Sequence, residues 1–558
     1  MGEVVGVPGN ELTLRQLPPN PEECVSLAAT TMGLLLDSWI SEFILVVSVA
    51  TLAIYLWFDH GFKYWKKKGT PFVEPSIPFG NFRKSILGQE PLGVTTQRLY
   101  KQVPGERYVG HFGFCRPILL IRDPEIIRHI LVKDFSTFHD RGIVLDDEEP
   151  LNHNLFSFTG QKWRQLRVKL SPTFTSGKLR GMFKTLSECG REMADVLEAV
   201  AERGDTVEVR ELAARYATDV IASVAFGIEC NCQRNPDNEF RQWGRRIFKP
   251  TIQTGISNIL SFISPTLTRL LRIRSGITAV SEYFRRMVAD TVAYREKNNI
   301  TRKDFMDLLI ELKNKGVADP DKSEAQESGY MSEAIDTKKL TLNELAAHAF
   351  TFFVGGFETS STTMSFALHE LALNPSLQTK LQEEIDSVFK EYGTDITYDS
   401  ISKMSYLDKV VCETLRKYPP LPILNRECNK EYRIPGSDLV LEKGTAVAIS
   451  VLGLQHDPKY FPDPERFDPE RFSEEEKAKR HPYVYLPFGE GPRICIGMRL
   501  GLLQVKVGLA YLLSRHNVRT TDKTVTNLEY NPRSIILMPK GGIQLRLEKM
   551  FALCGSKI

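Results

Sequence analysis

Residues 488–501 read Phe488-Gly489-Glu490-Gly491-Pro492-Arg493-Ile494-Cys495-Ile496-Gly497-Met498-Arg499-Leu500-Gly501, and the stretch that follows, LLQVKVGLAYLLSR, has the apolar period of an amphipathic helix. Cys495 therefore sits in a glycine-rich loop where the chain enters a helix. Backbone N–H groups point outward there, and the positive end of the helix dipole favours a thiolate. Arg493 adds a fixed positive charge, while Phe488, Ile494 and Ile496 keep water away. The glycines let the backbone approach a planar partner closely. On these residues alone an inert buried cysteine near a turn stays open as the alternative. A phosphate-binding loop does not fit, because Gly489-x-Gly491 lacks the third glycine and no Gly-x-x-x-x-Gly-Lys-Ser/Thr occurs in the chain.

Upstream, Thr341 and Glu344 form a Thr-x-x-Glu capping box, and the helical period then runs to Asn374, where Pro375 ends it. This spacing predicts a helix of about 32 residues, about 48 Å long at 1.5 Å per residue. Gly355-Gly356-Phe357-Glu358-Thr359 lies at its middle. Two adjacent glycines there cost roughly 1 kcal/mol each against alanine. Either something bulky approaches a locally loosened helix, or a neighbouring helix packs against small residues. Glu413 and Arg416, three apart, share one helical face within ion-pairing reach.

Most segments beyond residue 160 carry the helical period. Alternating, β-branched stretches are few: Pro117 to Arg122, Leu439 to Ser450, and parts of 533–547. The chain reads as mainly α with small sheets. A net charge of +3 over 558 residues gives no basis for a nucleic-acid partner. The nine cysteines are scattered without a Cys-x-x-Cys pair, which argues against a disulfide framework or a zinc site. Cys230 and Cys232, the nearest pair, read as free thiols in a turn.

Phe43 to Phe58, FILVVSVATLAIYLWF, carries no charge, and with Trp39 and Ile40 it approaches the ~20 residues that span a bilayer. Tyr55 and Trp57 mark one interface. Acidic residues precede the run and Lys63, Lys66, Lys67 and Lys68 follow it, so the positive-inside rule places the body in the cytosol. The expected organisation is an extension, lumenal or disordered, over 1–38, an anchor over 39–58, a basic and Pro-rich hinge over 59–81, a large domain over 82–548 and a tail over 549–558. The polar stretch 316–340 reads as an exposed connector.

Phe488-x-x-Gly491-x-Arg493-x-Cys495-x-Gly497 resembles the haem-binding signature of the cytochromes P450. Glu413-Thr414-Leu415-Arg416 is similar to that family's Glu-x-x-Arg helix, and Phe467-Asp468-Pro469-Glu470-Arg471-Phe472 to the segment that supplies a further arginine. Trp163-x-x-x-Arg167 and Gly356-x-Glu358-Thr359 also match, in the family's order, and the likeness runs from about Tyr64 to Leu547. FETSSTTMSFALHELA, RKYPPLPILNREC, WRQLRVKLSPTFTSGKL and HPYVYLPFGEGPRICIGMR resemble insect microsomal members of family six.

The resemblance implies the mainly α cytochrome P450 fold, with many helices, small β-sheets and a single-pass anchor in the endoplasmic reticulum membrane. It implies a haem with Cys495 as thiolate ligand, donating charge that favours O–O cleavage. Trp163, Arg167, Arg426 and Arg493 would bind the propionates, with Arg141 a weaker candidate, and Phe488, Gly491 and Gly497 would shape the haem loop. Thr359 and Glu358 would relay protons to bound oxygen, and Gly355, where the family more often has alanine, would widen the groove beside them. Glu413, Arg416 and Arg471 would lock the loop structurally. O2 is the implied co-substrate. Electrons would come from NADPH through NADPH–cytochrome P450 reductase, with cytochrome b5 as a second donor, docking near Lys162, Arg164, Lys169, Arg499 and Lys506.

Substrates would be small lipophilic compounds, foreign ones such as plant toxins or insecticides. They would meet the stretch from Ile247 to Ile273, which would roof the pocket and dip into the membrane, together with residues 142–157, Phe350 to Thr359, Ile423 and Leu424. Two other classes stay open: a haem-thiolate isomerase or dehydratase needing no reductase, and a membrane-tethered haem-binding protein without turnover.

Overall fold

The structure is a computed structural model that describes residues 39–143, 148–248, 252–271, 277–302, 304–316, 338–393 and 395–550. The expected extension over 1–38, nearly all of the connector over 316–340 and most of the tail over 549–558 lie outside the described residues. Two units meet between Lys63 and Tyr64. In the first, helix α1 (Trp39–Phe62) continues four residues past the expected anchor end. It has the length and apolar composition to cross a membrane, and side chains such as Ile44, Val46 and Leu52 are exposed.

The second unit is mainly helical, as expected. It takes in most of the stretch over 59–81 expected to be a basic and Pro-rich hinge. Trp65 is fully buried and its Nε1 donates to the His111 carbonyl at 3.1 Å. The Gly110 N–H donates to Pro71 O at 2.7 Å, and Val73 N–H returns to Gly110 O at 3.0 Å. Only a glycine fits at 110, because a Cβ there would lie 2.4 Å from the Trp65 ring.

That edge belongs to a four-stranded sheet in the order β1 (Tyr108–Gly113), β2 (Arg116–Ile121), β7 (Ala446–Ser450), β4 (Ile423–Glu427), with only the β2–β7 pair parallel. A second sheet orders β3 (Thr206–Glu208), β9 (Gln544–Lys549), β8 (His516–Arg519), and β5 (Tyr432–Arg433) pairs with β6 (Val440–Leu441). The stretch from Leu439 to Ser450 is therefore two strands, β6 and β7, broken by a turn at Gly444 with φ +89. Of 533–547 only the end is strand. Strands β1, β3, β4, β5 and β8 go beyond the expectation.

Helices of this unit include α2 (Gly160–Leu170), α3 (Ser176–Arg203), α4 (Val209–Ile221), α5 (Ile252–Ile263), α6 (Leu342–Leu373), α7 (Ser405–Lys417) and α8 (Met498–Leu513), of which α2, α6, α7 and α8 line the Cys495 cavity. Helix α6 has the expected 32 residues, with both halves of the Thr341–Glu344 capping box formed. It packs along α4 and α8 through the centre of the core. Its ladder stays α-helical through Gly355 and Gly356, so of the two readings of the glycine pair, helix packing against a small residue is the one that holds. The two glycines differ: a Cβ at 356 would sit 2.5 Å from Ile221 Cδ1 of α4, whereas one at 355 would meet nothing within 4 Å.

Candidate active site

Cys495 precedes α8 and opens onto a cavity of about 290 Å³. Its N–H donates to Phe488 O at 3.0 Å, which closes the loop. Gly489 and Gly491 adopt φ +73 and +72, in the left-handed region that favours glycine. At Gly491 a Cβ would also sit 2.0 Å from Leu131 O, so the loop lies directly on that backbone. Packing on every side except the cavity pushes the Cys495 thiol above its ordinary value; the Gly497 N–H, Arg167 and Arg141 act in the opposite sense, toward the thiolate. Phe488 and Gly497 line the same cavity.

Three arginines ring one edge of it. Burial lowers Arg493 to about 9 and Arg141 to about 10, and takes Arg426 well below the usual guanidinium range, with repulsion among the three adding to the effect on Arg426 and Arg493. Arg493 donates to Phe158 O at 2.8 Å, approaches Asp140 at 3.6 Å and lies 4.1 Å over the Trp163 ring. Arg426 donates to Asn425 O at 2.8 Å, and Arg141 lies 4.4 Å over the Phe156 ring. Arg493 Nη1, Arg426 Nε and Arg141 Nε are buried without hydrogen-bond partners. Such a concentration of under-compensated charge is costly unless an anion completes it. The two carboxylates of a haem meet that requirement, with Cys495 on the adjacent wall. Among the described residues no group of three His, Cys, Asp or Glu side chains is arranged to hold a metal ion.

Strand parity explains part of this. In β4, Leu424 and Arg426 point to one side and line the cavity, while Ile423 and Asn425 point to the other and face a smaller one. Ile423 is thus not a cavity residue, contrary to expectation. Arg167, four residues from Trp163 on α2, reaches the cavity and donates to Ile494 O at 2.9 Å, holding the cysteine loop. Arg141, ranked below the others from sequence, is a full member of the cluster.

At 100° per residue, Thr359 and Glu358 lie on different faces of α6. Thr359 lines the cavity, its hydroxyl donating to Gly355 O at 2.6 Å. Glu358 is fully buried, pairs with Arg210 of α4 and accepts from Thr362 Oγ1 at 3.3 Å. It borders a separate polar cleft of about 610 Å³ shared with Arg241 and Arg245. The expected pair is therefore split between two compartments. Arg210 went unrecognised in the sequence, since nothing local links it to a residue 148 positions away.

The expected lock is present. Arg416 Nε and Nη2 each reach Glu413 at 2.8 Å, Arg471 approaches the same carboxylate at 3.6 Å, and Asp468 N–H adds a bond at 2.9 Å. Other expectations need correction. Lys169 is buried and donates to Lys338 O at 2.7 Å, and Lys506 pairs with Asp408, which leaves Lys162, Arg164 and Arg499 as the exposed part of the expected basic patch. Among the described residues, none between Ile247 and Leu271 lines the Cys495 cavity. Leu155 and Phe156 from the 142–157 stretch do.

A single sulfur on one wall and carboxylate-seeking cations at the edge define the class of haem-thiolate proteins. Comparison with known proteins carries the assignment further, because the cytochrome P450 profile matches residues 77–547, and the chain belongs to that family. It is 43% identical over 517 residues to cytochrome P450 6k1 of Blattella germanica, covering 91% of this chain and 97% of that protein. It is 43% identical over 498 residues to probable cytochrome P450 6a14 of Drosophila melanogaster, covering 88% and 96%. Cytochrome P450 6a2 of the same fly is 41% identical over 514 residues, covering 91% and 99%. The resemblance to insect family-six members holds, and with it a haem monooxygenase as the coarse activity.

Proposed function

We propose that the protein inserts one atom of O2 into small lipophilic compounds, mainly foreign ones, with electrons from NADPH delivered by a flavoprotein reductase. The observation that carries this reading is Cys495 opening onto the same cavity as Arg141, Arg426 and Arg493. Cys495 is the iron ligand; the three arginines and Trp163 hold the propionates; Arg167 fixes the loop through Ile494; Phe488, Gly491 and Gly497 shape the seat. Bound haem supplies the reductive activation of O2. Thr359 holds a proton at its hydroxyl on the cavity side, and Glu358 serves the same turn from the polar cleft.

Lys162, Arg164 and Arg499 form the docking face for the reductase, with cytochrome b5 a second donor. Residues 39–58 form the core of the anchor in the endoplasmic reticulum membrane, with the body from Tyr64 on in the cytosol. Exposed Ile252 and Ile256 on α5 meet the same lipid. Reconstitution with reductase, NADPH and a lipophilic test compound decides the matter. Product formed with NADPH consumption supports the reading. Turnover of a peroxide without reductase indicates the isomerase or dehydratase class, and haem binding without any product indicates a carrier. Cys495→Ser abolishes the red-shifted band of the reduced carbonyl complex if sulfur is the ligand.

A further inference from the structure

We infer that His348, about 16 Å along α6 from Thr359, forms a polar subsite in the Cys495 cavity that recognises a hydroxyl group on an otherwise lipophilic substrate. This rests on the monooxygenase reading above and narrows its substrate class. His348 stands eleven residues before Thr359 on α6, and both residues line the cavity. At 1.5 Å per residue that separation is about 16 Å along the helix axis, so the two groups bracket an elongated molecule. Phe352, Gly355 and Thr363 continue the same face.

The wall beside His348 is aromatic and reaches back to the cysteine loop, where Phe174 would lie 3.7 Å from a Cβ at Gly497. Phe305 stacks on Phe352 with ring centroids 4.6 Å apart, and Phe174 adds a third ring at 5.5 Å from Phe352. Within this wall His348 is 3% exposed, and neither ring nitrogen has a hydrogen-bond partner. Thr351, the other polar residue of that turn, is already committed, its hydroxyl donating to Ala347 O at 2.7 Å. A buried imidazole with both nitrogens unpaired is costly, and a partner entering from the cavity removes that cost.

Chemistry selects the partner. Burial lowers His348 to about 4, so at neutral pH it offers one donor and one acceptor. A hydroxyl complements either nitrogen. A carboxylate is disfavoured, because the ring is neutral and Glu344, one turn earlier, contributes negative charge to the same locality. The remaining alternative is a water molecule that pairs with His348 whatever ligand is bound.

The experiment uses the full-length haem-loaded protein in lipid and measures Kd by equilibrium dialysis for n-dodecanol and n-dodecane. The ratio of the two constants is compared among wild type, His348→Phe and His348→Gln. The subsite predicts that His348→Phe lowers the preference for the alcohol about tenfold, the scale of one buried hydrogen bond. His348→Gln, which keeps a donor and an acceptor, should restore part of it. An unchanged ratio in both variants overturns the inference and assigns the nitrogens to water. The reading also predicts that wild type oxidises dodecanol at the end remote from its hydroxyl and that His348→Phe scatters the products. A ratio that responds to His348 in a protein that oxidises neither compound would keep the subsite and sink the monooxygenase reading instead.

Discussion

Arg210 and Glu358 form an ion pair from neighbouring helices, α4 and α6, with the Glu358 side chain 1% exposed at the border of the polar cleft. The next residue, Thr359, opens on the opposite compartment. Helix α6 thus separates the cleft from the Cys495 cavity, with the Glu358 carboxylate on the cleft side, and the proposed proton route assigns it a role there. Glu358→Gln should reduce product formation on the order of 100-fold, the usual scale for losing a positioned acid. The reduced carbonyl spectrum should stay intact and the solvent isotope effect should rise. A variant with unaltered turnover would remove Glu358 from the proton route. Arg210→Ala should destabilise the fold by about 3 kcal/mol, because it leaves a buried carboxylate without its partner; thermal unfolding of the purified variant measures this.

The arginine cluster makes a separate prediction about cofactor retention. Arg426 and Arg493 are buried with part of each guanidinium unpartnered, and on the proposed reading the haem carboxylates complete their pairing. Replacing either with alanine should speed haem loss to an apoprotein acceptor by roughly tenfold, the lower end for a charge-assisted hydrogen bond. Trp163→Phe keeps an aromatic face under Arg493 and should lose haem more slowly than Trp163→Ala. Equal rates for the two Trp163 variants would mean that the ring acts by volume alone.

Sequence disclosed the elements that carry strong local signals. The Thr341–Glu344 box and Pro375 bounded α6 to within one residue, because capping chemistry is local. The Glu413–Arg416 pair was equally legible from its spacing. Strand β4 was not, since Ile423–Glu427 follows a proline-rich turn and gains its order only by pairing with β7. Lys169 misled because lysine usually seeks solvent, whereas here its ammonium ends on a backbone carbonyl. The separation of Glu358 from Thr359 followed from helical geometry and was available in the sequence, as was the alignment of His348 with Thr359. Arg141 had no such signal: its place beside Arg426 depends on how distant segments fold together.

Acid should weaken the fold through buried histidines. Burial lowers His111 and His456 to about 3 and His348 to about 4, from an ordinary value of 6.5. Between those limits the unfolded chain binds protons that the folded chain refuses, so unfolding free energy rises with pH. The stability is complete above about 6.5 and is lost as pH falls toward the folded values. Each histidine adds a slope of about 1.4 kcal/mol per pH unit within its window. His111→Phe should flatten the measured slope by about that amount between about pH 4 and 6, as read from denaturant unfolding at a series of pH values. An identical slope would mean that His111 protonates in the folded state.

The glycine pair on α6 yields opposite outcomes for one substitution at adjacent positions. Alanine gains about 1 kcal/mol over glycine in a helix interior wherever there is space for its methyl group. At Gly355 there is space, so Gly355→Ala should raise stability by about that amount while projecting a methyl into the cavity beside Thr359. At Gly356 the new Cβ would stand 2.5 Å from Ile221 Cδ1, a fully buried contact. Overpacking of this kind costs typically 1–3 kcal/mol, which outweighs the gain, so Gly356→Ala should be net destabilising by about 1 kcal/mol. Ile221→Val deletes the clashing carbon and should rescue Gly356→Ala but not improve Gly355→Ala. A double-mutant cycle on thermal unfolding tests this: coupling between 221 and 356 with none between 221 and 355 is the expected result, and additivity at both positions would overturn the packing assignment.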